Sequence, residues 1–186
     1  MVKQCFISEE KYKALNKFIK EQQLYSKLSN CPFNDPFEKY IKDSIYIVPP
    51  NTLLAYQYIN GVHIQVAYQT VWIINKYEKG YYFGKVYTAL NGIPGSELNV
   101  VGSVTPLGDV YMTFFSLSGD SIITGIGKFI ITECSGFFLM QMNNAQDNFS
   151  GLAHWSYMTS VAPGDSFYEK LPSVGKSIPE FIKEFK

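Results

Sequence analysis

Apolar and polar positions along this chain follow a helical period at the two ends and a strand period between them. Near the start, Tyr12, Leu15, Phe18, Ile19, Gln22 and Tyr25 recur at spacings of three and four. Lys11, Lys13, Lys17, Lys20 and Glu21 fill the gaps, which describes one apolar stripe on an amphipathic helix. Ser8 ahead of Glu9 and Glu10 supplies a cap and a carboxylate-rich first turn, where unpaired N–H groups favour negative charge. The helix is expected to end near Asn30, before Pro32. A second, short helix is predicted with Asp35 as its cap and Pro36 at its first position, running into Phe37, Tyr40 and Ile41. Pro49-Pro50 closes this helical preface.

From Thr52 the period becomes two. β-Branched and aromatic residues dominate, and Gly, Asn, Pro and Asp punctuate them at short intervals. Strands are predicted at about 52–59, 62–75, 81–90, 97–105, 109–117, 121–131, 136–143 and 152–161. Asn60-Gly61, Glu78-Lys79-Gly80, Pro106-Leu107-Gly108 and Ser118-Gly119-Asp120 are too short to hold helical crossovers, so consecutive strands should be antiparallel neighbours. A meander of this length resolves both of its edges at once by closing into a barrel, and Gly84, Gly125 and Gly127 inside the strand patterns permit the bends that closure needs. At the tail, Ser177 caps a short helix with Pro179 early in it and Phe181, Ile182 and Phe185 on its apolar face. The predicted fold is mainly β (α+β): an antiparallel meander closed into a roughly eight-stranded barrel, with N-terminal helices and a short C-terminal helix. We read a single domain over 1–186, comprising a helical segment at 1–48, the barrel at 49–165 and a C-terminal segment at 166–186.

Composition supports the strand reading through 14 Tyr and 14 Phe, whose flat rings suit a pleated surface. Sixteen basic residues balance sixteen acidic ones, so no general attraction to nucleic acid or anionic lipid is expected. Cys5, Cys31 and Cys134 are widely spaced and read as reduced thiols. The charged start and the lack of a long apolar run predict a soluble, cytoplasmic protein with neither signal peptide nor transmembrane segment. Export by a signal-less route would leave no mark in such a sequence.

Strand parity defines two competing interiors. His63, Gln65, Gln69, Gln141, Asn143, His154 and Ser156 would line a polar lumen if their faces point inward. Alternatively they are wet, and the opposite parity forms the core, as in a half-buried antiparallel sheet. The apolar counterpart is a cup of Trp72, Tyr87, Tyr111, Phe114, Met140, Trp155 and Tyr157, in which rigid rings bury a ligand or simply fill the barrel. His154 stands near Trp155 and is added to the ligand-binding candidates. Asp109, Asp120 and Asp165 follow glycine in apparent turns, and Glu133 interrupts an apolar run in a predicted loop facing water. The chain contains no GxSxG elbow, GxGxxG or phosphate-loop motif, and no HExxH spacing. No metal site and no cofactor are therefore expected.

Val71-Trp72 in an early strand and Trp155 in the last, on a run of short antiparallel strands over residues 52–161, resemble the calycin barrels, the lipocalin and avidin-like group. The likeness is architectural: Thr70 and Val71 precede Trp72, so the lipocalin Gly-x-Trp signature is absent. The resemblance implies capture of a small, partly apolar ligand inside the barrel. Three functions follow as expectations. The first is a non-enzymatic binding barrel with a cavity on the order of 300 Å³ or more. The second is an enzyme of the same fold using His63 or His154 as an acid-base group. The third is an interaction module that docks through its terminal segments or associates through an open strand edge.

Overall fold

The computed structural model describes residues 35–50, 54–116, 118, 122–133, 135–145 and 150–185. The predicted helix from Ser8 to Asn30 and all three cysteines lie outside the described residues. From Asp35 onward the chain forms a compact unit of its own. Ten strand segments follow a short helix α1 (Glu38–Ile41): β1 (Ser44–Ile47), β2 (Leu54–Ile59), β3 (Val62–Val66), β4 (Tyr68–Glu78), β5 (Tyr81–Leu90), β6 (Ile93–Val104), β7 (Asp109–Phe115), β8 (Ile122–Ile131), β9 (Gly136–Ala145) and β10 (Ser150–Val161). Helices α2 (Ser166–Glu169) and α3 (Ile178–Lys183) complete the described chain.

Two pairs of segments each make one interrupted stave. β1 and β2 both run antiparallel to β10, facing Val161 to Thr159 and Trp155 to Ser150 respectively. Between them lie Pro49 and Pro50, which lack the N–H groups a ladder requires. β3 and β4 are separated at Ala67, whose backbone instead exchanges hydrogen bonds with Asn91: its N–H donates to Asn91 Oδ1 at 3.0 Å, and its carbonyl accepts from Asn91 N at 2.8 Å. Every neighbouring pair is antiparallel, and β1 pairs with both β4 and β10, so the sheet is a closed eight-stranded barrel. The hairpin turns follow the expected chemistry. Asn60-Gly61, Lys79-Gly80 and Asn91-Gly92 all have positive φ at both positions, the mirror-image turn that matches strand twist.

Two expectations need correction. The sequence pattern places β1 in the helical preface, because Ser-Ile-Tyr-Ile is too short to show a period before Pro49-Pro50, whereas the structure makes it a stave of the barrel. The barrel therefore begins at residue 44 rather than 49. β6 begins at Ile93, four residues before the predicted start at 97, and carries Pro94 and Gly95 inside it. The register shifts between Tyr87 and Ala89, and Thr88 Oγ1 accepts the Ser96 N–H at 3.0 Å, so a side chain takes over where the backbone ladder is interrupted.

Apolar parity points inward. Tyr46, Trp72, Ile74, Tyr82, Val86, Leu98, Val100, Met112, Phe114, Phe129, Phe138, Met140 and Met158 form one interior cluster. Gly102 faces this interior because a Cβ there would lie 2.2 Å from Cζ of Tyr82. A second cluster lies outside the barrel wall, where Leu171, Ile178 and Phe181 cover Ile47, Val71, Tyr87 and Ala89. This C-terminal strap is anchored by a capping box: Ser177 Oγ accepts from Glu180 N, and the Glu180 carboxylate accepts from Ser177 N at 3.0 Å. Phe181, Ile182 and Phe185, expected as a docking face, are thus spent on the chain's own barrel.

Candidate functional site

The two ends of the interior differ in chemistry. At the α1 end, Phe37 stands edge-on to Phe129 at 5.7 Å, and Phe138 meets Phe129, Tyr46, Trp72 and Tyr82 at 4.7, 4.8, 5.3 and 5.8 Å. Hydroxyls pin this aromatic plug. Tyr46 Oη donates to the Tyr40 carbonyl at 2.7 Å and Tyr77 Oη to Asp35 Oδ2 at 2.7 Å. Asp35 also accepts the Phe37 N–H at 3.0 Å, but the cap of α1 is Phe37, two residues beyond the predicted Asp35, because the helix begins at Glu38. Burial raises the pKa of Tyr46, Tyr77 and Tyr82 well above the ordinary phenol range, with the Asp35 charge adding to the effect at Tyr77.

At the opposite end, hydroxyls gather on an apolar wall. Tyr68, Thr70 and Thr88 line a void of about 10 Å³ together with Trp72, Val86, Leu98, Phe114, Ile123 and Met142. Burial pushes the Tyr68 phenol up to about 12, opposed in part by its hydrogen bond with Thr88. Thr70 and Thr88 are buried, at 2% and 6% exposure, in a wall made mostly of apolar side chains. A void of this size is at the lower limit for a single water molecule. Between the two ends, rings and thioethers of the described residues pack against one another. Deeper in the barrel, Ser156 is fully buried and its Oγ has no hydrogen-bond partner, and the Tyr82 hydroxyl shares that condition.

The predicted site residues with described side chains lie on both sides of the barrel wall. Trp72 and Met140 belong to the interior cluster, at 1% and 0% exposure. Tyr87 lies on the outer wall against Phe185, at 5.3 Å between ring centroids. Tyr111 is 57% exposed, and Tyr157 pairs with Phe137 on the outside of the sheet, at 4.5 Å. The proposed cup is thus divided by the barrel wall, because Tyr87, Tyr111 and Tyr157 occupy the outward parity of β5, β7 and β10. For His154 and Trp155 the structure gives backbone register, opposite Met142 and Gln141 of β9. His63 is exposed on β3 beside Tyr58, at 4.9 Å.

The polar-lumen set is dispersed in the same way. Gln65, Gln141 and Asn143 are exposed, and Gln69 is buried outside the wall, where its Oε1 accepts the Ser173 N–H at 3.0 Å and ties down the strap. Among the described side chains of that set only Ser156 belongs to the inner parity. Glu133 is exposed in the loop after β8, as expected, and Asp165 accepts the Ala162 N–H in a turn at 2.7 Å. Tyr68, Thr70 and Thr88 were missed as a group. The available signal was their position on the apolar parity of β4 and β5, although at Thr88 the hydroxyl also accepts the Ser96 N–H.

Among the described residues no three His, Cys, Asp or Glu side chains cluster to hold a metal, and no helix is long and apolar enough to cross a membrane. No family model, no curated protein and no solved structure matches this chain.

Proposed function

We propose that the chain is a non-enzymatic binding barrel that takes a small, partly apolar molecule at the end away from α1. One observation carries this reading: the hydroxyl-bearing side chains of Tyr68, Thr70 and Thr88 line a single void in an apolar wall. Trp72, Phe114 and Met142 supply contact surface, and the hydroxyls supply orientation. The void holds about one water as it stands, so a ligand must displace a side chain. Met142 is suited to yield, being unbranched and easily repacked. The calycin-like architecture is compatible with this use, and a cytoplasmic location fits the reduced-thiol reading of the cysteines.

The test uses phenol and 1-hexanol, which pair an apolar body with one hydroxyl, together with native mass spectrometry of the freshly purified chain. The expected result is a mass adduct or a probe-dependent rise in melting temperature. Tyr68→Phe and Thr70→Val should weaken either signal about 5- to 10-fold, the loss of one hydrogen bond. If no adduct appears and millimolar phenol and hexanol leave the melting temperature unmoved, the interior is only a core and the proposal fails.

A further inference from the structure

Among the described residues, β3 is the last strand in the order of the sheet. β2 and β3 form a hairpin that extends the ladder of β10, and β3 ends the strand order with no neighbour on its far side among the described residues. The two-residue turn at Asn60-Gly61 determines which backbone groups are left over. In such a hairpin the residues flanking the turn, Ile59 and Val62, exchange both hydrogen bonds, and the pattern alternates from there. Val62, Ile64 and Val66 therefore direct their N–H and C=O groups at β2. His63 and Gln65 direct theirs away from it. The next residue on that side, Ala67, is already paired with Asn91. The open edge is thus two residues long and presents four backbone groups.

Within the hairpin the edge is short but carries no charge, proline or bulge. Native edge strands are blunted by charge, proline or bulges, yet residues 54–66 contain no Asp, Glu, Lys, Arg or Pro. The β2–β3 register is regular from end to end. The hairpin also exposes Tyr56, Tyr58, Ile59, Val62 and Ile64, the last two at 57% and 47%.

We infer that β3 pairs antiparallel with β3 of a second copy of this chain, about a two-fold axis at Ile64. Around that axis His63 faces Gln65 of the partner subunit, and the reverse holds across it, so all four free groups on each edge are satisfied. Val62 then lies opposite the partner's Val66, and Ile64 opposite the partner's Ile64, which continues the apolar row on one face. Asn91 stops the ladder at Ala67 on each side, so the pairing closes as a dimer instead of propagating. With no formal charge on the hairpin, nothing on it repels a second copy.

Sedimentation of the full chain, at concentrations up to about 0.1 mM, should give twice the chain mass. Gln65→Pro removes only an outward N–H and should give the monomer, whereas Gln65→Thr should remain dimeric. Register is tested independently by cross-linking. The central pair is of the non-hydrogen-bonded kind, with Cα atoms about 4.5 Å apart, within disulfide reach. Ile64→Cys should therefore form a disulfide dimer on mild oxidation, in excess of any formed by the native chain. Val62→Cys should not, because four residues of offset place the two copies of position 62 about 13 Å apart. A native chain that stays at single mass, a Gln65→Pro variant that still dimerises, or cross-linking at 62 equal to that at 64 would overturn the inference.

Discussion

Phe137 and Phe138 are adjacent on β9 and lie on opposite sides of the barrel wall, so the same substitution at each measures what the interior contributes. Phe138 is 0% exposed and meets four other rings at 4.7 to 5.8 Å. Truncating such a side chain to alanine costs about 3 to 5 kcal/mol through lost transfer energy and the cavity left behind. Its edge-to-face contacts put Phe138 in the upper part of that range, at about 4 kcal/mol. Phe137 is half-buried and pairs with one ring, Tyr157. Phe137→Ala should cost about 1 to 1.5 kcal/mol. Urea unfolding followed by tryptophan emission gives both values, and with a slope near 2 kcal/mol/M the Phe138→Ala midpoint falls by about 2 M. If Phe138→Ala is too unstable to purify, Phe138→Leu, expected at about 1 to 2 kcal/mol, keeps the comparison. Equal losses at 137 and 138, or a larger loss at 137, would show that the assigned inward parity of β9 is wrong.

Alkaline titration should destabilise the fold. In the folded state burial holds Tyr68 at about 12 and raises Tyr46, Tyr77 and Tyr82, whereas the unfolded chain ionises its phenols near 10, so stability is intact below pH 10 and falls as pH rises toward 12 and beyond. Phenolate absorbance should report these tyrosines only together with unfolding; reversible ionisation of all described tyrosines near pH 10 in the folded chain would contradict their burial. Gly102→Ala places a Cβ 2.2 Å from Cζ of the fully buried Tyr82 and should cost about 1 to 3 kcal/mol in a denaturation experiment, where a neutral result would show that the ring has room to move. Ser177→Ala removes the cap of α3 and should cost about 1 kcal/mol, with faster hydrogen exchange confined to the C-terminal strap; unchanged exchange there would show that the cap does not hold it.

The meander was legible because its turns were. Asn60-Gly61 and Lys79-Gly80 carry their backbone conformation in their residue types, and once they are placed the strands between them can only run antiparallel. β1 was illegible for the opposite reason. Four residues show no period, and Ser-Ile-Tyr-Ile is a strand only because β4 and β10 leave a gap of one stave between them. Pro94-Gly95 looked like a loop because a single sequence does not reveal that Thr88 will substitute for the missing ladder bond.

Site residues were harder still. Residue type separated Trp72 from Tyr111 not at all, since both are aromatic residues in strands. Their difference lies in parity, and parity is resolved by what covers the outer wall. Over β4 and β5 the C-terminal strap makes both faces apolar, which is why Val71 and Tyr87 read as interior. The group at Tyr68, Thr70 and Thr88 required the register of β4 against β5, in which Thr70 lies opposite Thr88, and the side chains that close the void around them.

Closure of the barrel by β1 is the claim on which the interior, the plug at α1 and the open edge at β3 all rest. Nuclear Overhauser contacts across β1 test it directly. The closed barrel requires Tyr46 to show backbone contacts to Ser160 on one side and to Trp72 on the other at the same time. Contacts to Trp72 without contacts to Ser160, or the reverse, would mean an open sheet with a free edge where the barrel is said to close.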